Sequence, residues 1–314
     1  MQAVFVGVDV SKDTLDIAGS PGRQRLTIAN KRSEIEQWLK SLPAATFVGM
    51  ESTGRYHQLL ATLARERGLH VYVLNPKRIW YAARGDGRRS KTDRIDAQVI
   101  AKFLRDHIND LHEWNPGTPL LSEIAVLERR RQCIERHCTA MAMSLRGVEG
   151  LGEQLAQFMD SIKTMRQAID QRIQALVNAD QELARRQALL STIPAIGAVG
   201  AASLAALFAR VPFKRSDSVV AFVGLDVRAS DSGNYRGRRK LTKLGPAYLR
   251  REVWLMGFAA CHTKIYKPFY DAMKARGLKS TEAIMILGRR ILRIAWAVWR
   301  TDKPFEPQLV GKRA

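Results

Sequence analysis

The chain begins with a run of residues that has the composition of a buried β-strand. This run is Val4-Phe-Val-Gly-Val-Asp-Val-Ser-Lys12, and β-branched and aromatic side chains dominate it. Asp9 interrupts the run where a buried strand is normally apolar. Because an unpaired buried carboxylate is costly, Asp9 requires a cation, hydrogen-bond donors or a place at the edge of the sheet. An aspartate that caps the following turn would meet the same requirement.

The order of predicted elements indicates the class of the N-terminal domain. Three β-rich runs over 3–10, 14–19 and 25–29 predict an antiparallel meander, because turn residues separate them. The predicted elements that follow are a helix at about 32–42, a strand over 46–51, a helix over 56–67, a strand over 70–74 and a helix opened by Pro76. This order is typical of a ribonuclease-H-like α/β domain, which we expect over residues 1–112.

Three further acids follow Asp9 at informative positions. Glu51 ends its predicted strand, and ligands bind at strand ends in such sheets. Thr92 is predicted to cap a helix over 93–105, on which Asp93 and Asp96 share one face. Taken singly, these two are equally explained as acids that favour the N-terminal dipole of a helix.

Together, the four acids predict a metal site. A cluster of four negative charges is stable only with bound cations, and hard oxygen ligands suit Mg²⁺ or Mn²⁺. Two such ions roughly 4 Å apart would hold a phosphodiester on both sides of the bond that breaks. The pattern therefore indicates a nuclease or a phosphoryl-transfer enzyme, although short acidic patterns also arise by chance.

The net charge indicates the class of partner. The 314 residues include 51 Lys and Arg against 30 Asp and Glu, which gives a net charge of +21. Residues 210–314 alone have a net charge of +15. Such an excess favours a polyanion, and nucleic acid is the expected one. Three cysteines without a C-x-x-C pair argue against a zinc site or disulfides and fit a reducing cytoplasm. No uncharged run has membrane-spanning length, so we expect no membrane partner.

The remainder of the chain is predicted to be mainly helical. Residues 113–190 show apolar residues at intervals of three and four, with a hairpin at Gly147–Gly152, and we expect core packing or a coiled-coil oligomer contact there. Residues 191–314 form the predicted C-terminal domain. Its start, Ile193-Pro-Ala-Ile-Gly197, is typical of a helix-hairpin-helix that contacts phosphate, although any tight turn between packed helices needs the same glycines.

Ser232 lies in the most basic segment of the chain. The residues that we expect to contact nucleic acid are Arg228, Arg236, Arg238, Arg239, Lys240 and Lys243 around it, and Arg88, Arg89 and Lys91 before Asp93. Arginines can hold a phosphate through paired hydrogen bonds and stabilise the charge that builds on it during transfer. As a nucleophile, Ser232 would need a base or cation brought from elsewhere. Spacing alone favours the simpler interpretation, a basic hairpin in which Ser232 is a turn residue.

Several motifs occur in an order that resembles the bacterial insertion-sequence transposases of the one-ten family, which are DEDD recombinases with a RuvC-like domain. These motifs are Val6-Gly-Val-Asp-Val-Ser-Lys-Asp13, Met50-Glu-Ser-Thr-Gly54, Asn75-Pro76, Lys91-Thr-Asp-Arg-Ile-Asp-Ala97, Ile193-Pro-Ala-Ile-Gly197, Gly224-Leu225 and Ser232-Gly233. The resemblance spans nearly the whole chain. It implies that Asp9, Glu51, Asp93 and Asp96 bind metal, and that Ser232 is the nucleophile that forms a phosphoserine link to DNA.

The same resemblance implies the partners. They are donor and target double-stranded DNA and a structured guide RNA, the bridge RNA, whose base pairing selects both DNAs. It also implies a homo-oligomer, from dimer to tetramer, in which the carboxylates of one subunit meet the serine of another. The expected location is the bacterial cytoplasm, at the nucleoid when the protein is bound to DNA.

The sequence leaves three alternatives open. A RuvC-like, structure-specific nuclease would use water as its nucleophile and would need the acids but not Ser232. A sugar or acetate kinase is suggested because Gly7-Val-Asp-Val-Ser11 also resembles the phosphate loop of that related fold, but no second glycine-rich motif follows and the charge of +21 is unusual for it. A non-catalytic nucleic-acid-binding protein would keep its function after the loss of all four acids. Under every hypothesis except that of a kinase, the protein binds nucleic acid and its affinity should fall as the salt concentration rises.

Overall fold

A computed structural model describes residues 3–20, 25–52, 54–85, 93–228, 231–232, 235–237 and 239–307. The chain divides into two units, Met1–Pro116 and Gly117–Ala314. The predicted boundaries after residues 112 and 190 stay predictions. Among the described residues, no helix is both long enough and apolar enough to cross a membrane.

The N-terminal unit contains a mixed five-stranded sheet. Its strands are β1 (Val4–Val10), β2 (Thr14–Ser20), β3 (Leu26–Ala29), β4 (Thr46–Glu51) and β5 (His70–Leu74), in the spatial order β3-β2-β1-β4-β5. The first three strands form the predicted antiparallel meander, and β4 and β5 run parallel to β1. This α/β arrangement is compatible with the ribonuclease-H/RuvC-like fold expected from the element order.

Helices cover both faces of this sheet. They are α1 (Arg32–Lys40), α2 (His57–Glu66), α3 (Pro76–Gly85) and α4 (Asp93–His107). Because side chains alternate along a strand, Val6, Val8 and Val10 of β1 all reach the core that α1 and α2 share. The opposite face packs against α3 and α4 through Ile79, Ile100 and Leu104.

A glycine in β1 lets α4 lie directly on the sheet. A Cβ atom at Gly7 would lie 2.1 Å from the carbonyl oxygen of Ala97 and 2.4 Å from the backbone nitrogen of Ala101. Gly49, the partner of Gly7 on β4, would place a Cβ 3.1 Å from Leu104 Cδ2. The glycine in the first strand therefore serves a close backbone approach.

The second unit is mainly helical, as predicted for the remainder of the chain. Its helices are α5 (Pro119–Ser144), α6 (Gly152–Asn178), α7 (Gln181–Ser191), α8 (Ala198–Arg210), α9 (Ser216–Val223), α10 (Ala247–Ala260), α11 (Lys267–Ala275) and α12 (Ser280–Thr301). In the described part of the segment before α10 there are four two-residue strands: β6 (Val227–Arg228), β7 (Asp231–Ser232), β8 (Tyr235–Arg236) and β9 (Lys240–Leu241). The core of this unit centres on α8, α10 and α12.

The predicted hairpin between the two longest helices is present. Gly147 and Gly150 have φ values of 81° and 79°, a conformation that favours glycine, between α5 and α6. The apolar stripe of α6 is buried only towards its C-terminal end, because Ile173 is 3% exposed whereas Met165 is 53% exposed. The coiled-coil oligomer contact stays a prediction.

Candidate functional site

Asp9 and Glu51 are neighbours at the edge of the sheet where the parallel strands β1 and β4 end. Val8 of β1 pairs with Met50 of the parallel strand β4, so the two acids that follow lie side by side, with backbones about 5 Å apart. Val8 and Met50 are fully buried on the α1 and α2 side. Because side chains alternate, Asp9 and Glu51 belong to the opposite face, the one that α4 covers. Both acids are half-buried.

A third carboxylate, which sequence reasoning missed, belongs to the same edge. Asp16 of β2 pairs directly with Asp9 in the antiparallel register, so both lie on the α4 face. Asp16 Oδ1 accepts a hydrogen bond of 2.6 Å from Thr27 Oγ1. Like charges that face each other across two strands repel, which increases the demand for a cation here. The strand register, rather than any motif, identifies Asp16.

The direction of α4 determines where Asp93 and Asp96 lie. Soon after α4 the chain reaches the first residues of β5, where Glu113 Oε1 lies 2.5 Å from His70 Nδ1. The backbone nitrogen of Trp114 donates to the carbonyl oxygen of Val71 at 2.6 Å. The C-terminal end of α4 is thus near the N-terminal ends of the parallel strands. Its first turn therefore points towards the edge that carries Asp9 and Glu51.

The contact at Gly7 gives the scale of this arrangement. From Gly7, Asp9 is two residues, or about 7 Å, further along β1. From Ala97, which touches Gly7, Asp93 is four residues, or about 6 Å, further towards the start of α4. The backbone thus carries the first turn of α4 and Asp9 towards the same edge. The side chains of Asp93 and Asp96 lie outside the described residues, as does Thr92.

Hydrogen bonds hold this edge of the sheet together. Asn30 Nδ2 donates to the carbonyl oxygen of Ser11 at 2.9 Å and to that of Tyr56 at 3.2 Å. It thereby ties the turn after β1 to the segment that follows Glu51. Among the described side chains, no three acids, histidines or cysteines converge as a complete metal-binding group. Asp93 and Asp96 are not part of that set.

Ser232 lies on β7 of the second unit, where it pairs with Tyr235 of β8. Its side chain and those of Tyr235 and Arg236 lie outside the described residues, and so do Arg88, Arg89, Lys91 and Arg238 altogether. The described basic residues that were expected to contact nucleic acid are all exposed, namely Arg228, Arg239, Lys240 and Lys243. Arg228 and Lys240 pair across β6 and β9.

A close glycine contact anchors the segment that carries Ser232. Gly224 has a φ of 75°, and a Cβ there would lie 2.5 Å from the backbone nitrogen of Gly245. Thr242 Oγ1 donates to Asp226 Oδ1, and the Arg250 guanidinium donates to the carbonyl oxygen of Gly245. The chain therefore leaves and re-enters the helical core at one well-packed point.

The helix-hairpin-helix-like segment joins α7 to α8. Ala195, a non-glycine residue, takes the positive φ of 78° in this turn. Gly197 precedes α8 with an extended backbone, and a Cβ there would meet no atom within 4 Å. A phosphate contact at this turn stays a prediction.

Comparison with known proteins shows what the whole chain is similar to. A family model described as "Transposase", for the DEDD type, matches residues 6–148, and one described as "Transposase IS116/IS110/IS902 family" matches residues 187–271. The pilin gene-inverting protein of Moraxella bovis is 25% identical over 98% of this chain and 99% of its own length. The protein of the same name from Moraxella lacunata is 24% identical over the same shares. A 42 kDa protein of insertion element IS900 from Mycobacterium paratuberculosis is 27% identical over 39% of this chain and 32% of its own length.

Proposed function

Because this chain belongs to the IS116/IS110/IS902 family of transposases, and is thus a DNA transposase or recombinase, we propose that it cuts and rejoins DNA at a site formed by Asp9, Glu51, Asp93 and Asp96. Its substrates are DNA. We propose further that Ser232 is the nucleophile and that donor and target duplexes are exchanged through a phosphoserine intermediate.

One observation carries the proposal for the acids. The contact of Gly7 with the backbone of α4 leads Asp9 and the first turn of that helix to one edge of the sheet. Glu51 ends the neighbouring parallel strand at that same edge. The backbone of α4 and the strand ends that carry Asp9 and Glu51 thus lead towards one edge of the sheet, which supports a joint role for the four acids.

The donor set of this edge fits a divalent cation. A DEDD domain of this type suggests dependence on a divalent metal, and carboxylate oxygens are the ligands that Mg²⁺ and Mn²⁺ prefer. Asp9, Glu51, Asp93 and Asp96 would hold the ion, and the opposition of Asp9 and Asp16 is more easily tolerated when positive charge is bound. When bound, such ions would stabilise the negative charge of the phosphodiester as it reacts.

The proposed chemistry conserves phosphodiester bonds. Ser232 Oγ attacks the phosphorus as its proton passes to a nearby base, and a serine–phosphorus ester forms. The bond from phosphorus to the departing sugar oxygen breaks, and that oxygen takes up a proton. In the reverse step a sugar hydroxyl of the exchanged strand attacks the same phosphorus and releases the serine. The cycle therefore needs no high-energy cofactor.

A guide RNA and a homo-oligomer complete the proposal. The net charge of +21 supports simultaneous binding of more than one nucleic acid. Base pairing between the RNA and each DNA would then supply sequence choice, while the protein binds backbones. We propose an assembly of two to four copies, in which the acids of one copy serve the serine of another.

The first experiment tests for the covalent intermediate. The protein is incubated with Mg²⁺, the RNA encoded beside its element and labelled donor and target DNA, and the products are separated under denaturing conditions. We expect a protein–DNA adduct that Ser232→Ala and Asp93→Asn both abolish. Asp106→Asn is the matched control, because Asp106 lies at the other end of α4, where it forms an ion pair with Arg105 at the surface.

The outcomes separate the open alternatives. Cleavage without an adduct, unaffected by Ser232→Ala, would support the RuvC-like nuclease that uses water. DNA binding that survives the loss of all four acids, without any cleavage by the wild type, would indicate a binding protein. Mixing the Ser232→Ala and Asp93→Asn proteins tests the assembly, because adduct formation returns only if one copy supplies acids to the serine of another.

A further inference from the structure

Helix α3 exposes an unusual combination of side chains. Lys77, Trp80, Tyr81 and Arg84 are spaced at intervals of three and four, so they form one stripe on the helix, and all four are exposed. Trp80 is 47% exposed and Tyr81 is 52% exposed. A solvent-facing stripe of a helix is normally polar, whereas half of this stripe is aromatic. We call these four residues the α3 stripe.

The exposure of the α3 stripe does not result from poor packing of the helix. The opposite side of α3 is anchored in the core through Ile79, which is 3% exposed, and through Ala82 and Ala83. Arg78 places its guanidinium 5.5 Å from the ring centre of Phe103 in α4. The helix is therefore held firmly by one side while the aromatic stripe faces solvent.

The two rings of the α3 stripe lie against each other edge to face. Trp80 and Tyr81 lie with ring centres 5.0 Å apart at an interplanar angle of 75°. The guanidinium of Arg84 lies 4.1 Å from the ring centre of Trp80. Unpaired bases stack both on aromatic rings and on guanidinium planes, and every base offers a π-face for such contacts.

The charge of α3 selects the class of ligand. The helix carries Lys77, Arg78 and Arg84 and no acidic residue. Two exposed rings bordered by cations complement a strand of bases and phosphates, whereas an apolar protein partner would not require the cations.

The position of α3 connects the stripe to the acids. Ser52, which follows Glu51, donates from its backbone nitrogen to the carbonyl oxygen of Leu74 at 2.9 Å. Leu74 pairs with Glu51 and is followed by Asn75, whose Oδ1 accepts from the backbone nitrogen of Lys77 at 2.9 Å. The helix thus begins beside Glu51. Trp80 is four residues, or about 6 Å, beyond its first residue.

We propose that the α3 stripe binds an unpaired segment of the DNA strand that is cut at the acidic edge. Stacking on Trp80 and Tyr81 would hold bases that have left the duplex, while Lys77 and Arg84 neutralise the phosphates between them. The stripe would thus position the strand for cleavage by groups within a few nucleotides of it. This inference rests on the proposed function.

Photochemical cross-linking locates the contact directly. The full-length protein is irradiated with a single-stranded DNA that contains 5-bromodeoxyuridine. The DNA has about 12 nucleotides, which is within the site sizes of proteins that bind single strands. After digestion with trypsin, we expect cross-linked DNA on the peptide Ile79–Arg84, which contains both rings. No cross-link on this peptide, with cross-links elsewhere in the chain, would overturn the proposal.

Affinity measurements with matched variants test the physical basis. Trp80→Ala should weaken binding of oligothymidylate by about 5-fold to 150-fold, which is the range for the loss of one base–aromatic stack. The dependence on salt should not change. Trp80→Phe should restore most of the affinity. Arg84→Gln should instead lower the slope of log K against log salt concentration by about 0.7, because one phosphate contact is lost.

Leu26→Ala is the control for the loss of exposed apolar surface, since Leu26 is 44% exposed in the same unit. Equal losses for this control and for Trp80→Ala would overturn the inference. A loss of affinity confined to oligouridylate would also overturn the inference and would indicate that the stripe binds RNA. A changed oligomeric state with unchanged DNA binding would overturn it as well and would indicate that the stripe contacts a second copy of the chain. If the α3 variants bind DNA normally while wild type still forms the serine adduct, only this inference fails. If wild type forms no adduct, the proposed function fails whatever the stripe binds.

Discussion

The substitution Gly7→Ala adds one methyl group at the contact between β1 and α4. The new Cβ would lie 2.1 Å from the carbonyl oxygen of Ala97, whereas real Cβ contacts are essentially never under 3.0 Å. Helix α4 must therefore move by at least about 0.9 Å. Overpacking costs about 1–3 kcal/mol, and we expect about 3 kcal/mol here because backbone atoms border the space on two sides.

Two measurements follow the effect of Gly7→Ala. Thermal unfolding monitored by circular dichroism should show the N-terminal unit melting roughly 10 °C lower. DNA cleavage should fall about 100-fold below that of wild type at temperatures where the protein remains folded, since a displacement near 1 Å of catalytic groups costs about that much. The displaced groups are Asp93 and Asp96, which α4 carries.

The control for Gly7→Ala is Gly49→Ala on the neighbouring strand. There the new Cβ meets Leu104 Cδ2 at 3.1 Å and Ile100 Cγ2 at 3.3 Å, and side chains can adjust where backbone cannot. We expect a cost below about 1 kcal/mol and little loss of cleavage. Ala97→Gly should fail to rescue Gly7→Ala, because the clashing atom belongs to the backbone. A Gly7→Ala protein with wild-type stability and cleavage would refute the direct contact and the placement of the acids derived from it.

Three further predictions concern the second unit and the metal. Gly257→Ala should destabilise the protein by about 3 kcal/mol in chemical denaturation, because its Cβ would lie 2.2 Å from the carbonyl oxygen of Ile284 where α10 crosses α12. The control Gly152→Ala should be neutral or slightly stabilising, because a Cβ there meets open space. Burial raises the pKa of Glu128 to about 7 from 4.5, although a hydrogen bond with Ser203 lowers it in part. Between pH 4.5 and 7 the folded state therefore binds more protons than the unfolded state, so the free energy of unfolding falls by up to about 3 kcal/mol as pH rises through this range. Glu128→Gln should flatten this pH dependence, which denaturation curves at pH 5 and pH 8 would measure. Removal of divalent ions with EDTA should abolish cleavage, and addition of Mg²⁺ or Mn²⁺, but not of Ca²⁺, should restore it if the metal acts in the reaction. Unchanged cleavage in EDTA would contradict the metal site.

Local pattern was sufficient to predict most of the secondary structure. Strands and helices bury one face at periods of two and 3.6 residues, so the meander, the alternation that follows it and the long helices are visible in the sequence. The α5–α6 hairpin was predicted from glycines that take positive φ values. The motifs also indicated the family, which the two family models confirm.

Packing and exposure were less predictable, because a periodic pattern does not reveal what lies beside it. The stripe of α6 reads as uniformly apolar, yet Met165 is exposed while Ile173 is buried. The exposure of Trp80 and Tyr81 follows only from the way in which α3 packs on the sheet through Ile79. Glu128 of α5 is only 7% exposed because α8 and α10 surround it, and no local pattern in the sequence indicates this burial.

The sequence by itself determined the residue types of the candidate site and the elements that carry them. Only the tertiary structure decided that Asp16 faces Asp9, that Glu51 lies beside Asp9, and that the glycine in β1 admits the backbone of α4. The physical reason is that hydrophobic period and turn chemistry act between residues close in the chain. Strand register and helix-on-sheet contact instead depend on the fit of surfaces formed by residues tens of positions apart.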